Sequence, residues 1–169
     1  ALDILTLSRR LTKAEAEIRQ ALPLLQPKRI ALLGSGNLSY FQLILKPFLC
    51  ALGVAPQFFE GTYNALYSSL LDPNSTFYQY KPEMVFVLLS YREIQEWPAL
   101  LSPQEAVEQQ AQSCADSFLK LFQEFHGRCE AQLFVTNFAA PARHFLGSLE
   151  ASEFSGRDHF IRLVNERIL

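Results

Sequence analysis

The sequence lacks the features that mark membrane proteins, secreted proteins and nucleic-acid-binding proteins. No apolar run reaches the roughly 18 residues that a membrane-spanning helix requires. Charged residues interrupt every apolar stretch near the N-terminus, so no signal or transit peptide is predicted there. Neither sign of charge dominates, with 15 lysines and arginines against 17 aspartates and glutamates. We therefore expect a cytoplasmic protein that has neither a membrane nor nucleic acid as a partner.

Cysteine is also scarce, and no metal-ligand spacing is present. Cys50, Cys114 and Cys129 are odd in number and widely spaced, which favours reduced, structural thiols over a disulfide framework. Asp158 and His159 are adjacent, so a helix would not place both side chains on one face. Neither a metal nor another cofactor is predicted.

What the sequence does contain is a regular alternation of strand-like and helix-like segments. Strands are predicted at RIALLG, APQFFEG, MVFVLL and AQLFVTN, each separated from the next by helical patterns. This order predicts a three-layer α/β fold, with a mainly parallel, flavodoxin-like sheet and helices on both faces. We expect an N-terminal helical arm over residues 1–27 and one α/β domain over residues 28–169, which form part of a larger protein.

Two local signals predict finer detail. The unbroken apolar run at residues 84–89 is typical of a parallel strand covered on both faces, so we predict that it is the most buried strand. Ser102, Pro103 and Glu105 predict a capped start for a long helix that ends near Phe125.

The candidate site lies in the turns that follow the predicted strands, at residues 34–39, 60–64, 90–93 and 136–143. In parallel sheets, ligands bind outside the carboxyl ends of the strands. These turns are rich in small, hydroxyl and amide residues, which suit loops whose backbone approaches a ligand. The predicted cleft residues are Gly34, Ser35, Asn37, Ser39, Gly61, Tyr63, Asn64, Ser90, Arg92 and Asn137.

The first of these turns, GSGNLS, allows two kinds of chemistry. Glycines before a helix leave backbone amides free to cradle a phosphate, but neither GxGxxG nor GxxxxGK[ST] is present. Alternatively, Ser35 or Ser39 could be the nucleophile of an esterase or acyltransferase, with Asn37 or Asn137 as oxyanion donors. That reaction needs a base, and the sequence alone brings no histidine to either serine. The histidines are His126, His144 and His159.

Several stretches, taken in order, carry a resemblance to a known family. GNLSYFQLILKPFL, EGTYN, LDPNSTFYQYKP and NFAAPARHFLGSLE resemble the amino-terminal SGNH-hydrolase-like domain of FkbH-like proteins, over about residues 28–169. In that family, this domain precedes a HAD-type catalytic domain of polyketide biosynthesis. The HAD domain takes a glyceryl group from a phosphorylated three-carbon precursor and passes it, through a cysteine, to an acyl carrier protein. The resemblance thus implies an SGNH-like sheet, and as partners an acyl carrier protein or its phosphopantetheine arm and the neighbouring catalytic domain.

The chain also departs from active enzymes of these families. It has no DxDxT motif, which the HAD domain would carry, and no DxxH motif after a fifth strand. The first turn reads GSGNLS where active SGNH hydrolases have GDS, and SYRE replaces GxND after the third strand. A missing fifth strand would leave an open sheet edge.

These departures favour a degenerate, noncatalytic domain that supports loading of the carrier by binding or docking. We do not expect this chain alone to be an enzyme, whereas we expect its parent to be an acyl or glyceryl transferase. Two alternatives stay open: a serine esterase or acyltransferase that uses Ser35 or Ser39, and a domain that only fixes the geometry of a larger enzyme.

Overall fold

The fold is an α/β sandwich in which helices cover both faces of a parallel sheet. The computed structural model describes residues 4–22, 24–142, 145–151 and 153–168. The strands are β1 (Gln26–Gly34), β2 (Val54–Glu60), β3 (Met84–Leu88) and β4 (Gln132–Val135). The helices are α1 (Ile4–Ala21), α2 (Leu38–Ala51), α3 (Leu66–Leu71), α4 (Thr76–Tyr80), α5 (Gln104–His126) and α6 (Arg157–Ile168). Short 3-10 helices lie at Tyr91–Glu93 and Gly147–Ala151.

The four described strands pair in the order β2-β1-β3-β4, and every pair is parallel. This arrangement confirms the predicted α/β class and the mainly parallel sheet. The chain moves from β1 to one side to form β2, and then crosses to the other side of β1 to form β3. The strand order therefore reverses between β1 and β3, the position at which sheets of this kind bind ligands.

The larger core lies between the sheet and helices α3, α5 and α6, on what we call the α5 face. From the sheet, Ala31, Leu33, Val85 and Val87 are fully or almost fully buried there. Phe118 and Phe125 of α5 and Phe160 of α6 fill the space opposite them, which is the pattern expected of aromatic side chains in a well-packed interior. The α5 face contributes most of the buried apolar surface.

The opposite, α2 face carries a smaller core. Ile30 and Leu32 of β1 pack with Leu38 and Leu49 of α2. Helix α2 contacts β1 and β2, and α1 packs against α2 rather than against the sheet. A partly exposed ion pair between Lys46 and Glu15, 3.1 Å apart, joins the two helices. The pKa of Glu15 is lowered; burial opposes this shift, and hydrogen bonds from Arg19 and Lys46 outweigh it.

The prediction that β3 is the most buried strand is wrong. All of residues 30–34 in β1 are buried, whereas burial alternates along β3, with Val85 and Val87 buried and Met84, Phe86 and Leu88 only partly so. The cause is the packing of α2, which lies over β1 and β2 and leaves the α2 face of β3 incompletely covered.

The predicted cap of α5 is also wrong in its detail. The helix begins at Gln104 after Pro103, and no side chain caps its first turn. The predicted end is confirmed, since the helix ends at His126 and Gly127 follows as its C-cap. None of the described helices is long and apolar enough to cross a lipid bilayer.

The backbones of β1 and β3 approach each other closely at Gly34, which predicts the effect of adding a single methyl group there. At Gly34, φ is +154° and a Cβ atom would lie 2.6 Å from the carbonyl oxygen of Leu88. We expect Gly34→Ala to lower the free energy of unfolding by about 2 kcal/mol, because the clash is with backbone. Urea denaturation followed by circular dichroism measures this.

Gly36→Ala is the matched control, since a Cβ at Gly36 meets nothing within 4 Å. It should change the free energy of unfolding by less than about 0.5 kcal/mol. Equal effects of the two substitutions would contradict the described approach of the strands.

Candidate functional site

The described residues of all four predicted turns lie at the carboxyl edge of the sheet, around the ends of β1 and β3, and we call the surface that these turns share the cleft. The first turn follows β1, the second β2, the third β3 and the fourth β4. Hydrogen bonds connect the first turn to the second and third, and connect the third turn to the fourth. The structure therefore brings the four segments together, as their position after parallel strands predicts.

Ser35 forms the floor of this cleft. Its residue surface is only 1% exposed. The backbone N–H of Ser35 donates to Oε1 of Glu93 over 2.7 Å, and its Oγ donates to Oδ1 of Asn64 over 2.8 Å. The N–H and the hydroxyl of the candidate nucleophile are thus both engaged with other parts of the chain.

Glu93 is a central residue that the sequence analysis did not single out. Its side chain is 5% exposed in a 3-10 helix whose first turn it closes. Oε2 accepts hydrogen bonds from the N–H and from the Oγ of Ser90, each 2.8 Å long. Ser90 and Glu93 form a capping box, and the sequence signal for it is the Ser-x-x-Glu spacing of SYRE.

The second turn approaches β1 closely. The N–H of Gly61 donates to the carbonyl of Leu32, and a Cβ at Gly61 would lie 2.6 Å from Cδ2 of Leu33. Asn64 has φ of +61°, a left-handed conformation that asparagine tolerates better than most residues do. This backbone geometry places the Asn64 amide oxygen against the hydroxyl of Ser35.

Asn37 and Ser39 shape the start of α2. Oδ1 of Asn37 accepts the N–H of Ser39 over 3.1 Å, so Asn37 is the N-cap of the helix. Oγ of Ser39 donates to Oε2 of Glu60 over 3.2 Å, and Gln42 donates to the same oxygen over 2.9 Å. Ser39 is exposed and therefore differs from Ser35 in both surroundings and accessibility.

Arg92 and Tyr63 form the exposed rim of the cleft. One guanidinium nitrogen of Arg92 donates to the carbonyl of Ser35 over 3.3 Å, while the side chain stays open to solvent. Tyr63 is 59% exposed. The pKa of Arg92 is raised, first by hydrogen bonding to Tyr91 and then by the charge interaction with Tyr63.

The fourth turn closes the other side. Oγ1 of Thr136 accepts the N–H of Leu89, and Ala139 pairs with Ser90 in an isolated parallel bridge. Asn137 lies between them and is exposed. Arg143, the last residue of the predicted turn, and His144 lie outside the described residues.

Neither of the two described histidines is hydrogen-bonded to a candidate serine. His126 ends α5, which runs back from the carboxyl edge of the sheet, so it lies at the opposite edge. The ring of His159 packs 4.0 Å from that of Phe154 and contacts Arg162. Burial lowers the pKa of His159, and the positive charge of Arg162 adds to this effect.

The cysteines behave as structural thiols. All three are free; Cys50 is buried and the other two are partly buried. Burial raises the pKa of Cys114 to about 11, so its reactive thiolate form is scarce at neutral pH. Among the residues that the structure describes, no group of three potential metal ligands occurs.

Comparison with known families decides the classification. A family profile described as "FkbH, N-terminal domain" matches residues 29–168, which is most of the chain. The chain belongs to this FkbH N-terminal domain family. The match begins within β1, and it covers the rest of that strand, the other three described strands and all four turns.

A solved structure shows the same fold at low sequence identity. The crystal structure is described as the N-terminal part of the protein BF1531 from Bacteroides fragilis, containing a phosphatase domain complexed with Mg. The TM-score is 0.65 and the sequence identity is 18%. The alignment covers 92% of this chain but only 40% of the Bacteroides fragilis chain. No curated protein sequence matches the domain.

The hydrogen bonds of Glu93 predict its contribution to the stability of this FkbH N-terminal domain. Glu93→Gln replaces one acceptor oxygen by an amide N–H₂ that must face the donors of Ser35 or Ser90. We expect the free energy of unfolding to fall by about 1–3 kcal/mol, because a buried donor is left without an acceptor. Urea denaturation measures the loss.

Glu60→Gln provides the control in the same cleft. Glu60 is exposed, so the same substitution should change the free energy of unfolding by less than about 0.5 kcal/mol. A Glu93→Gln domain as stable as the Glu60→Gln domain would show that the Glu93 carboxylate does not hold the turns together.

Proposed function

We propose that this domain is a degenerate, noncatalytic SGNH-hydrolase-like module of a larger FkbH-like protein. In this proposal it binds or docks an acyl carrier protein, and so supports loading of a three-carbon, glyceryl-type unit in polyketide biosynthesis. The observation that carries the noncatalytic part is the engagement of Ser35 by Glu93 and Asn64.

The bonding of Ser35 is the reverse of what acyl transfer requires. A nucleophilic serine needs a base that accepts its hydroxyl proton and backbone N–H groups that are free to stabilise an oxyanion. The hydroxyl of Ser35 donates to a neutral amide oxygen, which is not a base at neutral pH. Its N–H already donates to a carboxylate, and that negative charge would oppose an oxyanion at the same place.

The exposed rim supports the binding part of the proposal. A phosphopantetheine arm carries an anionic phosphodiester, a hydroxyl group and two amides. Arg92 offers an exposed guanidinium for the phosphodiester, since arginine pairs well with phosphate oxygens. Asn37 and Asn137 are exposed amides on either side of the β1 and β3 ends, and suit the amide groups of the arm.

The family membership supports a division of labour in the parent protein. The family profile describes an N-terminal domain, and the structurally similar chain from Bacteroides fragilis is more than twice as long and contains a phosphatase domain. We propose that loading chemistry belongs to a HAD-type domain elsewhere in the parent, and that this domain positions the carrier beside it.

A titration tests the binding role. The domain is titrated with phosphopantetheine-bearing acyl carrier protein, and affinity is read by calorimetry. We expect saturable binding that Arg92→Ala weakens about fivefold to tenfold, because one charge-assisted hydrogen bond is lost. Arg29→Ala is the control, since it removes an exposed guanidinium from the amino edge of the same sheet and should leave affinity unchanged.

Two results would overturn the proposal. A flat titration with the unsubstituted domain would remove the carrier as a partner and favour a purely structural role. Hydrolysis of a para-nitrophenyl ester that Ser35→Ala or Ser39→Ala abolishes would instead establish the serine esterase or acyltransferase. Ser39 is included because its exposed hydroxyl contacts the Glu60 carboxylate.

A further inference from the structure

An apolar surface stays exposed on the α2 face of the sheet. We call it the α2 groove, and its residues are Tyr40, Ile44 and Phe48 of α2, Met84 and Phe86 of β3, and Phe134 of β4. Tyr40 is 52% exposed, Ile44 43%, Phe48 63% and Phe134 36%. A group of exposed apolar side chains on one face of a globular protein marks a site of interaction.

The groove has a floor and a wall. The rings of Phe86 and Phe134 stack on neighbouring strands, with centroids 4.8 Å apart and an interplanar angle of 13°. The ring centroids of Phe41 and Phe86 lie 6.2 Å apart, so Phe41 joins α2 to this floor. Tyr40, Ile44 and Phe48 follow one another at every fourth position and so form one ridge along α2, which is the wall.

The dimensions of the groove suit an α-helix. The floor is two strands wide, or about 10 Å at the usual spacing between strands. A helix with its side chains is about 10–12 Å across. A ridge of every-fourth residues is also the surface that a helix presents to a neighbouring helix. An amphipathic helix laid over β3 and β4, beside α2, would fill the groove.

The sequence of β3 is consistent with such a cover. Residues 84–89 are apolar on both faces of the strand, which is typical of strands that are covered on both sides. On the α5 face that cover is present, because Val85 and Val87 are fully buried. On the α2 face, Met84 and Phe86 are only partly buried.

We take the source of that helix to be the larger parent protein of the proposed function, on which this inference rests. The family is described as an N-terminal domain, and the chain covers only 40% of the similar solved structure. We propose that the α2 groove binds an amphipathic helix supplied by a part of the full-length polypeptide outside these 169 residues. That contact would fix the domain against its neighbour.

Hydrogen exchange tests this inference in the full-length polypeptide and in the 169-residue chain. We expect backbone amides of residues 44–51 to exchange about tenfold more slowly in the full-length polypeptide, because a helix bound in the groove would suppress local opening of α2. Ile44→Glu should abolish this difference. Leu71→Glu should preserve it, since Leu71 is 42% exposed but lies on α3, on the opposite face of the sheet.

Each remaining outcome counts against the inference. Equal exchange rates in the two polypeptides would overturn it. A 169-residue chain that sediments as a dimer, and as a monomer after Ile44→Glu, would assign the groove to a second copy. Exchange of the buried β1 amides shows whether a substituted protein is still folded, and Phe134→Ser repeats the test from the floor of the groove.

The result of the exchange experiment is separable from carrier binding, because carrier binding depends on the rim of the cleft.

Discussion

The three hydrogen bonds accepted by the Glu93 carboxylate determine the architecture of the cleft. They join the N–H of Ser35, after β1, to the N–H and hydroxyl of Ser90, after β3. A buried carboxylate is costly unless donors surround it, so this group specifies one arrangement of the two turns. The strand order reverses at this point, and the Glu93 carboxylate links the two loops that leave the paired ends of β1 and β3. The same bonds that fix the floor also engage the backbone N–H of Ser35.

Floor and rim therefore have different characters. The floor is buried and internally satisfied, with Ser35 held by Glu93 and Asn64. The rim is exposed and polar, with Arg92 and the two asparagines, Asn37 and Asn137, open to solvent. In the proposed function, the accessible polar groups of the rim recognise a partner. The residues of both floor and rim lie within the part of the chain that matches the FkbH N-terminal domain family.

The sequence predicted the fold well, because the local hydrophobic patterns of the strands and helices determine it. RIALLG and MVFVLL became β1 and β3, and the four turns meet because parallel strands share a carboxyl edge. Predictions failed where packing between distant elements decides the outcome. The cover over β3 depends on where α2 lies, and the capping box formed at Ser90 and Glu93 rather than at Ser102 and Glu105. The burial of Ser35 could not be predicted, since it depends on partners 29 and 58 residues away.

The state of the Ser35 hydroxyl is the most direct test of this account. The domain is incubated with a fluorophosphonate, which labels activated serines, and the modified residue is identified by mass spectrometry of peptides. We predict no adduct on Ser35, because the residue is only 1% exposed and its hydroxyl donates to an amide oxygen, which is not a base. A stoichiometric adduct on Ser35 in the folded domain would contradict it.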